Sequence, residues 1–237
     1  MQKQISGGLL FFLVATAPAL CQDAKAILEK VGETYTNLKS AHFEGAIVSE
    51  TSSGSVDSKT ETKIVVAVIE PNKARVEFQY PNGGDWIRAS DGKTTWDYRA
   101  LTHEYTAKPA TEFDINMING TRLSAYERIA ESIQSAKIVR SESIPVGGKS
   151  VDCYVLEVQY PPRSHDPSDL ALAAPQTTTY WVDKARNIVI EEKSGSESKS
   201  TKNTRTIKFD LASVNEPLPD TLFAFAPPKG AKLAQAR

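Results

Sequence analysis

Side chains that alternate between apolar and polar at every second position run through most of this sequence, and a chain written with that period must pleat. It is cleanest at 73–80, where Ala74, Val76, Phe78 and Tyr80 alternate with Lys73, Arg75, Glu77 and Gln79, the mark of a strand with one buried face. The same period recurs at 41–49, 60–69, 85–89, 94–98, 103–106, 135–143, 151–160, 177–182, 187–192 and 201–211. Turn chemistry stands between these stretches: Ser52-Ser53-Gly54, Asp91-Gly92 and Pro145-Val146-Gly147-Gly148. Asp-Gly between alternating runs is a strong hairpin signal. Roughly ten strands result.

The period changes in two places. At 23–38 the apolar residues Ala24, Ile27, Leu28, Val31, Tyr35 and Leu38 recur at three and four, the stripe of an amphipathic helix, with Asp23 suited to its positive end. At 112–133 a capping-box pattern, Ser124 to Glu127, precedes Ile129 and Ile133 and predicts one or two short helices. The segment 161–175 holds four prolines and no period, so it reads as a loop. The polar stretch 194–204 reads as a mobile hairpin tip. So few helices cannot bury so many strands, so the sheet must curl to hide its apolar face. The expected fold is mainly β, of the α+β kind: a single curved antiparallel sheet forming an incomplete β-barrel, with helices covering or plugging its opening. No linker divides the chain, and 22–237 reads as one domain.

Residues 1–21 have the form of a secretory signal: Lys3, an apolar run from Leu9 to Ala17, and small residues Ala19 and Cys21 at the cleavage positions. Cleavage near Cys21 delivers the rest to the periplasm; the alternative is a lipid anchor on Cys21, although Pro18-Ala19-Leu20 fit a lipidation signal poorly. No later segment approaches the roughly 20 apolar residues needed to span a bilayer. The whole chain carries 28 basic and 29 acidic residues, and losing Lys3 leaves it slightly acidic, a balance that does not steer nucleic acid. With Cys21 removed, Cys153 has no partner for an internal disulfide.

The search for chemistry finds little equipment. His42, His103 and His165 share no ligand-like spacing with each other or with carboxylates, so no metal site, cofactor or enzyme is expected. Gly148-Lys149-Ser150 ends like a phosphate loop, but Ser143 stands where its leading glycine belongs and a hairpin replaces the required helix start. Ser164-His165-Asp166 has the letters of a hydrolytic triad, but triads assemble in space rather than as neighbours.

The apolar positions carry more. Phe43, Ile47, Val66, Val68, Val76, Phe78, Trp96, Tyr98, Tyr154, Leu156, Ile207 and Phe209 all lie on the apolar phase of a strand. Each alone is ordinary core material; together they predict a common interior, a cavity lining for hydrocarbon. By the same phasing Arg75 points outward. Cys153 lies in a strand apolar on both sides and reads as a buried thiol.

Two segments then resemble a known family. Glu70-Pro71-Asn72-Lys73-Ala74-Arg75-Val76-Glu77-Phe78 followed by Ser90-Asp91-Gly92-Lys93-Thr94-Thr95-Trp96-Asp97-Tyr98, and Tyr180-Trp181-Val182-Asp183 with 187–190 and the tail 222–231, resemble the periplasmic carriers of outer-membrane lipoproteins, the LolA/LolB type. The resemblance implies a cavity for lipoprotein acyl chains or related lipids, no cofactor, and a monomer working between an inner-membrane lipoprotein-releasing transporter and an outer-membrane acceptor. It also implies moving lid helices, for which Ile118, Ile129 and Ile133 are candidates. Where the family places a lid-holding arginine before its proline, this chain has Glu70, which when ionised donates no hydrogen bond. The alternative role for the same fold is an envelope sensor that detects lipid or mislocalised lipoprotein.

Overall fold

The computed structural model describes residues 23–111, 123–162, 176–197 and 200–234. Asp23 caps the opening helix α1 (Ala24–Thr36), its carboxylate accepting from the Lys25 N–H at 3.0 Å, which satisfies one of the helix's orphan donors. A five-residue helix α2 (Leu123–Glu127) follows later in the chain. The strands are β1 (Ser40–Ser53), β2 (Val56–Ile69), β3 (Lys73–Gln79), β4 (Trp86–Ser90), β5 (Thr94–Arg99), β6 (Glu104–Pro109), β7 (Ser135–Val146), β8 (Lys149–Tyr160), β9 (Gln176–Asp183), β10 (Val189–Glu197), β11 (Thr201–Val214) and β12 (Lys232–Leu233).

All twelve belong to one open curved sheet, in the order β12-β6-β5-β4-β3-β2-β1-β11-β10-β9-β8-β7, that does not close into a barrel. Every pairing is antiparallel except the short parallel contact of β12 with β6. The first strand therefore joins the two halves of the chain, pairing with β2 on one side and β11 on the other. A bulge between Glu44 and Gly45 lies in that central seam, where bulges sharpen bend and twist. A Cβ on Gly45 would stand 1.9 Å from the Lys208 carbonyl oxygen, so only glycine fits.

The stripe predicted for α1 is the stripe that is buried: Ile27, Leu28, Val31 and Tyr35 lie against Phe43, Val66, Val76, Leu156 and Phe209 on the concave face. α2 packs on α1 so closely that a Cβ on Gly32 would approach the Glu127 carbonyl oxygen to 2.8 Å. The helix starts at Leu123, so Ser124 lies inside it and the capping box read from sequence is not its N-terminus. Ile129 is buried and Ile133 half-buried just after it, whereas Ile118 lies outside the described residues. The proline-rich loop falls mostly outside them too, at 163–175, with the Ser164-His165-Asp166 triplet. The polar stretch read as a mobile tip is largely paired strand, β10 continuing to Glu197 and β11 starting at Thr201.

A second, smaller core occupies the convex face. After β11 the chain returns across β3 to β6: Lys73 pairs with Asp220 at 2.6 Å, the Arg75 guanidinium donates to the Ala224 carbonyl at 3.3 Å, and Phe225 meets the rings of Trp96, Tyr98 and Tyr105 at 6.2, 6.0 and 5.6 Å. Register fixes the sidedness. Val76 pairs with Arg88 and Arg88 with Asp97, so Trp96 and Tyr98 face away from Phe43 and share the side of Arg75. The sequence phasing that put them in the common interior is thus corrected. The returning tail is the reason: β5 buries its apolar side against Phe225, and alternation reports which side of a strand is apolar but not which face of the sheet that side shares.

A double-mutant cycle on Trp96→Ala and Phe225→Ala should show a coupling of about 0.5–1.5 kcal/mol in urea unfolding. The Trp96→Ala and Phe43→Ala pair should add to within about 0.5 kcal/mol. Coupling between Trp96 and Phe43 instead would restore a single interior.

Candidate ligand cleft

The concave face changes character row by row as the central strands run away from the helices. One row, matched by register, is Leu156, Tyr180, Glu192, Ile207 and Ile47 across β8, β9, β10, β11 and β1. The next is Val158, Thr178, Ser194, Arg205 and Ser49, and beyond it stand Tyr160 with Gln176, and Ser196 with Asn203 and Thr51. Within three rows an apolar surface becomes one of hydroxyls and amides.

The helix α2 and the turn after it cover the first of these rows, and tyrosines fasten them. The Tyr126 hydroxyl donates to the Glu192 carboxylate at 3.0 Å, the Tyr160 hydroxyl donates to the Ile129 carbonyl at 2.9 Å, and the Tyr160 and Tyr180 hydroxyls lie 3.2 Å apart. Where this cover stops, a cleft of about 900 Å³ opens. Ala125, Tyr126 and Ser132 form its roof side, Tyr160, Tyr180, Pro161 and Pro162 an aromatic and aliphatic end, and the Thr178, Ser194 and Asn203 side of the sheet its floor. Clefts that hold small ligands run to about 300–1,000 Å³.

Three charged residues border it, Glu192 and Arg205 on its own concave face and Glu50 from the opposite side of β1. The Glu50 carboxylate is matched by Lys59 at 3.0 Å and Glu192 is held by Tyr126, while among the described residues Arg205 forms no salt bridge. Burial pushes the Tyr180 hydroxyl far above the usual phenol range and the Tyr160 hydroxyl upward as well, so both remain neutral hydrogen-bonding groups. Elsewhere Cys153 is fully buried, and burial first, then the charges of Asp183 and Asp152, push its thiol up to about 12, leaving almost no thiolate for reaction.

Ten of the twelve residues expected to line a cavity share the concave face: Phe43, Ile47, Val66, Val68, Val76, Phe78, Tyr154, Leu156, Ile207 and Phe209. What meets them is protein. Phe43 is stacked on Tyr35 at 6.2 Å and tilted against Phe209 at 5.0 Å, and both phenylalanines are buried. Eight of the ten are buried in the core that includes α1, and Phe78 and Tyr154 are half-buried against it, so the open volume lies beside them. Sequence reasoning missed Tyr126, Thr178, Ser194 and Arg205 as cleft residues. Tyr160 and Tyr180 fell on the apolar phase of their strands and could have been singled out, but a concave polar residue such as Thr178 reads in sequence as a solvated one. Glu70, the departure from the family latch, is exposed in the β2–β3 turn, its N–H donating to the Lys39 carbonyl at 2.9 Å. The roof is instead fastened by Tyr126 and Tyr160.

No family model matches this chain, nor does any curated protein. Among solved structures it is similar to the lipoprotein LppX of Mycobacterium tuberculosis, with 14% identity over 83% of this chain and 97% of that one and a TM-score of 0.44. It is also similar to the MucA/MucB complex structure of Pseudomonas aeruginosa, with 15% identity, 85% and 61% coverage and a TM-score of 0.43. A LolA superfamily protein of Nitrosomonas europaea is similar at 15% identity, with 86% and 98% coverage and a TM-score of 0.30.

Buried Tyr35 and Tyr180 and half-buried Tyr160 make alkaline stability a direct readout of this arrangement. Their folded values are raised above the ordinary 10.0. The unfolded chain sheds these protons near pH 10 and the folded chain only above it, so their contribution is complete below about pH 10 and is lost as the pH climbs past it. Unfolding midpoints should fall between pH 9 and 11, and absorbance at 295 nm should show some of the eight tyrosines ionising only as the fold is lost. Free titration of all eight in the folded state would contradict the burial described.

Proposed function

We propose that this chain is an exported envelope protein that binds the hydrocarbon of a lipid or a lipoprotein acyl chain in the cleft beside α2 and carries it without transforming it. The observation that supports this reading is the position of that cleft: it opens on the concave face where the helix-covered core gives out, with Tyr126, Tyr160 and Tyr180 at the boundary between apolar interior and solvent. An alkyl chain entering there leaves water and meets rings and prolines, at about 0.8 kcal/mol per methylene buried. A carrier must also let go. The roof rests on one another's weak holds, the bonds of Tyr126 to Glu192 and of Tyr160 to the Ile129 carbonyl, so it can lift without unmaking the sheet, and Ile129 and Ile133 move with it.

In this reading Cys21 precedes or begins the mature chain, residues 22–237 act as one lipid-binding unit, and a membrane transporter and a membrane acceptor stand at the two ends of its route. An envelope sensor of the same build has one observation in its favour: β7 is an edge of the sheet with Val139 47% exposed, and an open edge can accept a partner's strand.

Uptake of a fluorescent fatty-acyl probe tests the carrier. Binding should saturate, and Ala125→Trp, which fills the cleft from the roof side, should weaken it about tenfold while leaving the unfolding midpoint within about 0.5 kcal/mol of the parent. Tyr160→Phe should speed probe release several-fold by freeing the Ile129 turn. A folded protein with no saturable uptake would reject the reading, and uptake unaffected by Ala125→Trp would move the site elsewhere.

A further inference from the structure

Beyond the helices, β1, β2, β10 and β11 continue as a four-stranded arm with both faces largely exposed. Such an arm is ordinarily charged on both sides to stay solvated and to discourage edge pairing. Here the charges are sorted. On the convex face stand Glu50, Lys59, Glu61, Lys193, Glu197 and Lys202. The concave face carries Ser49, Thr51 and Ser53 of β1, Asn203 and Thr201 of β11 and Thr178 of β9, with Arg205 as the one charged residue among them. The register that places Ser49 opposite Arg205, Thr51 opposite Asn203 and Ser53 opposite Thr201 sets these groups in rows, and the Ser53 and Thr201 hydroxyls meet at 3.3 Å. Neighbouring strands lie about 4.8 Å apart, so the face offers hydroxyl and amide groups at regular intervals.

This face is the floor of the cleft already described, and it begins where the tyrosines end. A site with rings at one end and an uncharged donor and acceptor array at the other suits an amphiphile in two parts. Resting on the lipid-binding reading above, we propose that the headgroup is neutral and polyhydroxylated, a glycosyl unit lying on the hydroxyl and amide face while the alkyl chain passes toward Tyr160 and Tyr180. Charge decides among headgroups. A phosphate would find one arginine, with the Glu192 carboxylate facing the same cleft. Sugar hydroxyls instead both donate and accept, as Ser, Thr and Asn do.

Competition against the fluorescent acyl probe tests the headgroup, using three twelve-carbon amphiphiles below their micelle concentrations: n-dodecyl-β-maltoside, dodecylphosphocholine and lauric acid. The maltoside should compete about tenfold better than dodecylphosphocholine, a margin that a few extra hydrogen bonds supply. The double variant Thr51→Val/Asn203→Leu should abolish that margin and leave lauric acid unchanged, and Lys202→Gln on the convex face should change nothing. Equal competition by the maltoside and dodecylphosphocholine, or a margin that survives the double variant, overturns the headgroup assignment alone. Failure of the probe itself to bind overturns it together with the lipid-binding reading.

Discussion

Tyr35 holds both helices to both halves of the sheet. Its ring lies between Phe43 of β1 and Tyr126 of α2, at 6.2 and 5.1 Å, and its hydroxyl accepts the Val189 N–H at 3.2 Å where β10 begins. One residue thus ties the opening helix to the central strand, to the second helix and to the far half of the sheet. The consequence reaches the cleft, because α2 rests on α1 at Gly32 and has only five residues of its own, too few for a helix to persist unaided. Remove the tyrosine's grip and the roof loses its foundation before the sheet loses a strand.

From that joint outward the concave surface is a gradient. Under α1 it is packed hydrocarbon; at Tyr160 and Tyr180 it is aromatic with buried hydroxyls; along the arm it is hydroxyl and amide. Solvent-facing sheet surface needs no such order, and a solvated arm would be expected to mix its charges between faces. The gradient is what turns an open sheet with a packed core into a candidate for holding a molecule that is itself apolar at one end and polar at the other.

Much of the architecture was legible because alternation reports directly on pleating. The period at 73–80 placed β3 with the right residues inward, and the spacing of Ile27, Leu28, Val31 and Tyr35 placed α1 with its stripe on the sheet. Two things were not legible. Alternation says which side of a strand is apolar and not what covers it, so Phe43 and Phe209 read as a cavity wall when α1 fills the space above them. Nor does alternation say which face of the sheet an apolar side shares: Trp96 and Tyr98 bury theirs on the convex face because their partner, Phe225, arrives from over a hundred residues downstream. The cleft fell between these failures, its floor built of Thr178, Ser194 and Asn203, whose polarity in sequence signals only exposure.

In the proposed binding mode hydrocarbon enters beside Tyr126, Tyr160 and Tyr180 on the concave face. Photo-crosslinking with a diazirine-bearing fatty acid, followed by peptide mapping, reads the position of the chain directly. Labelling should fall within peptides that contain Tyr126, Tyr160 or Tyr180; labelling concentrated at Trp96, Tyr105 or Phe225 on the convex face would contradict entry at the cleft.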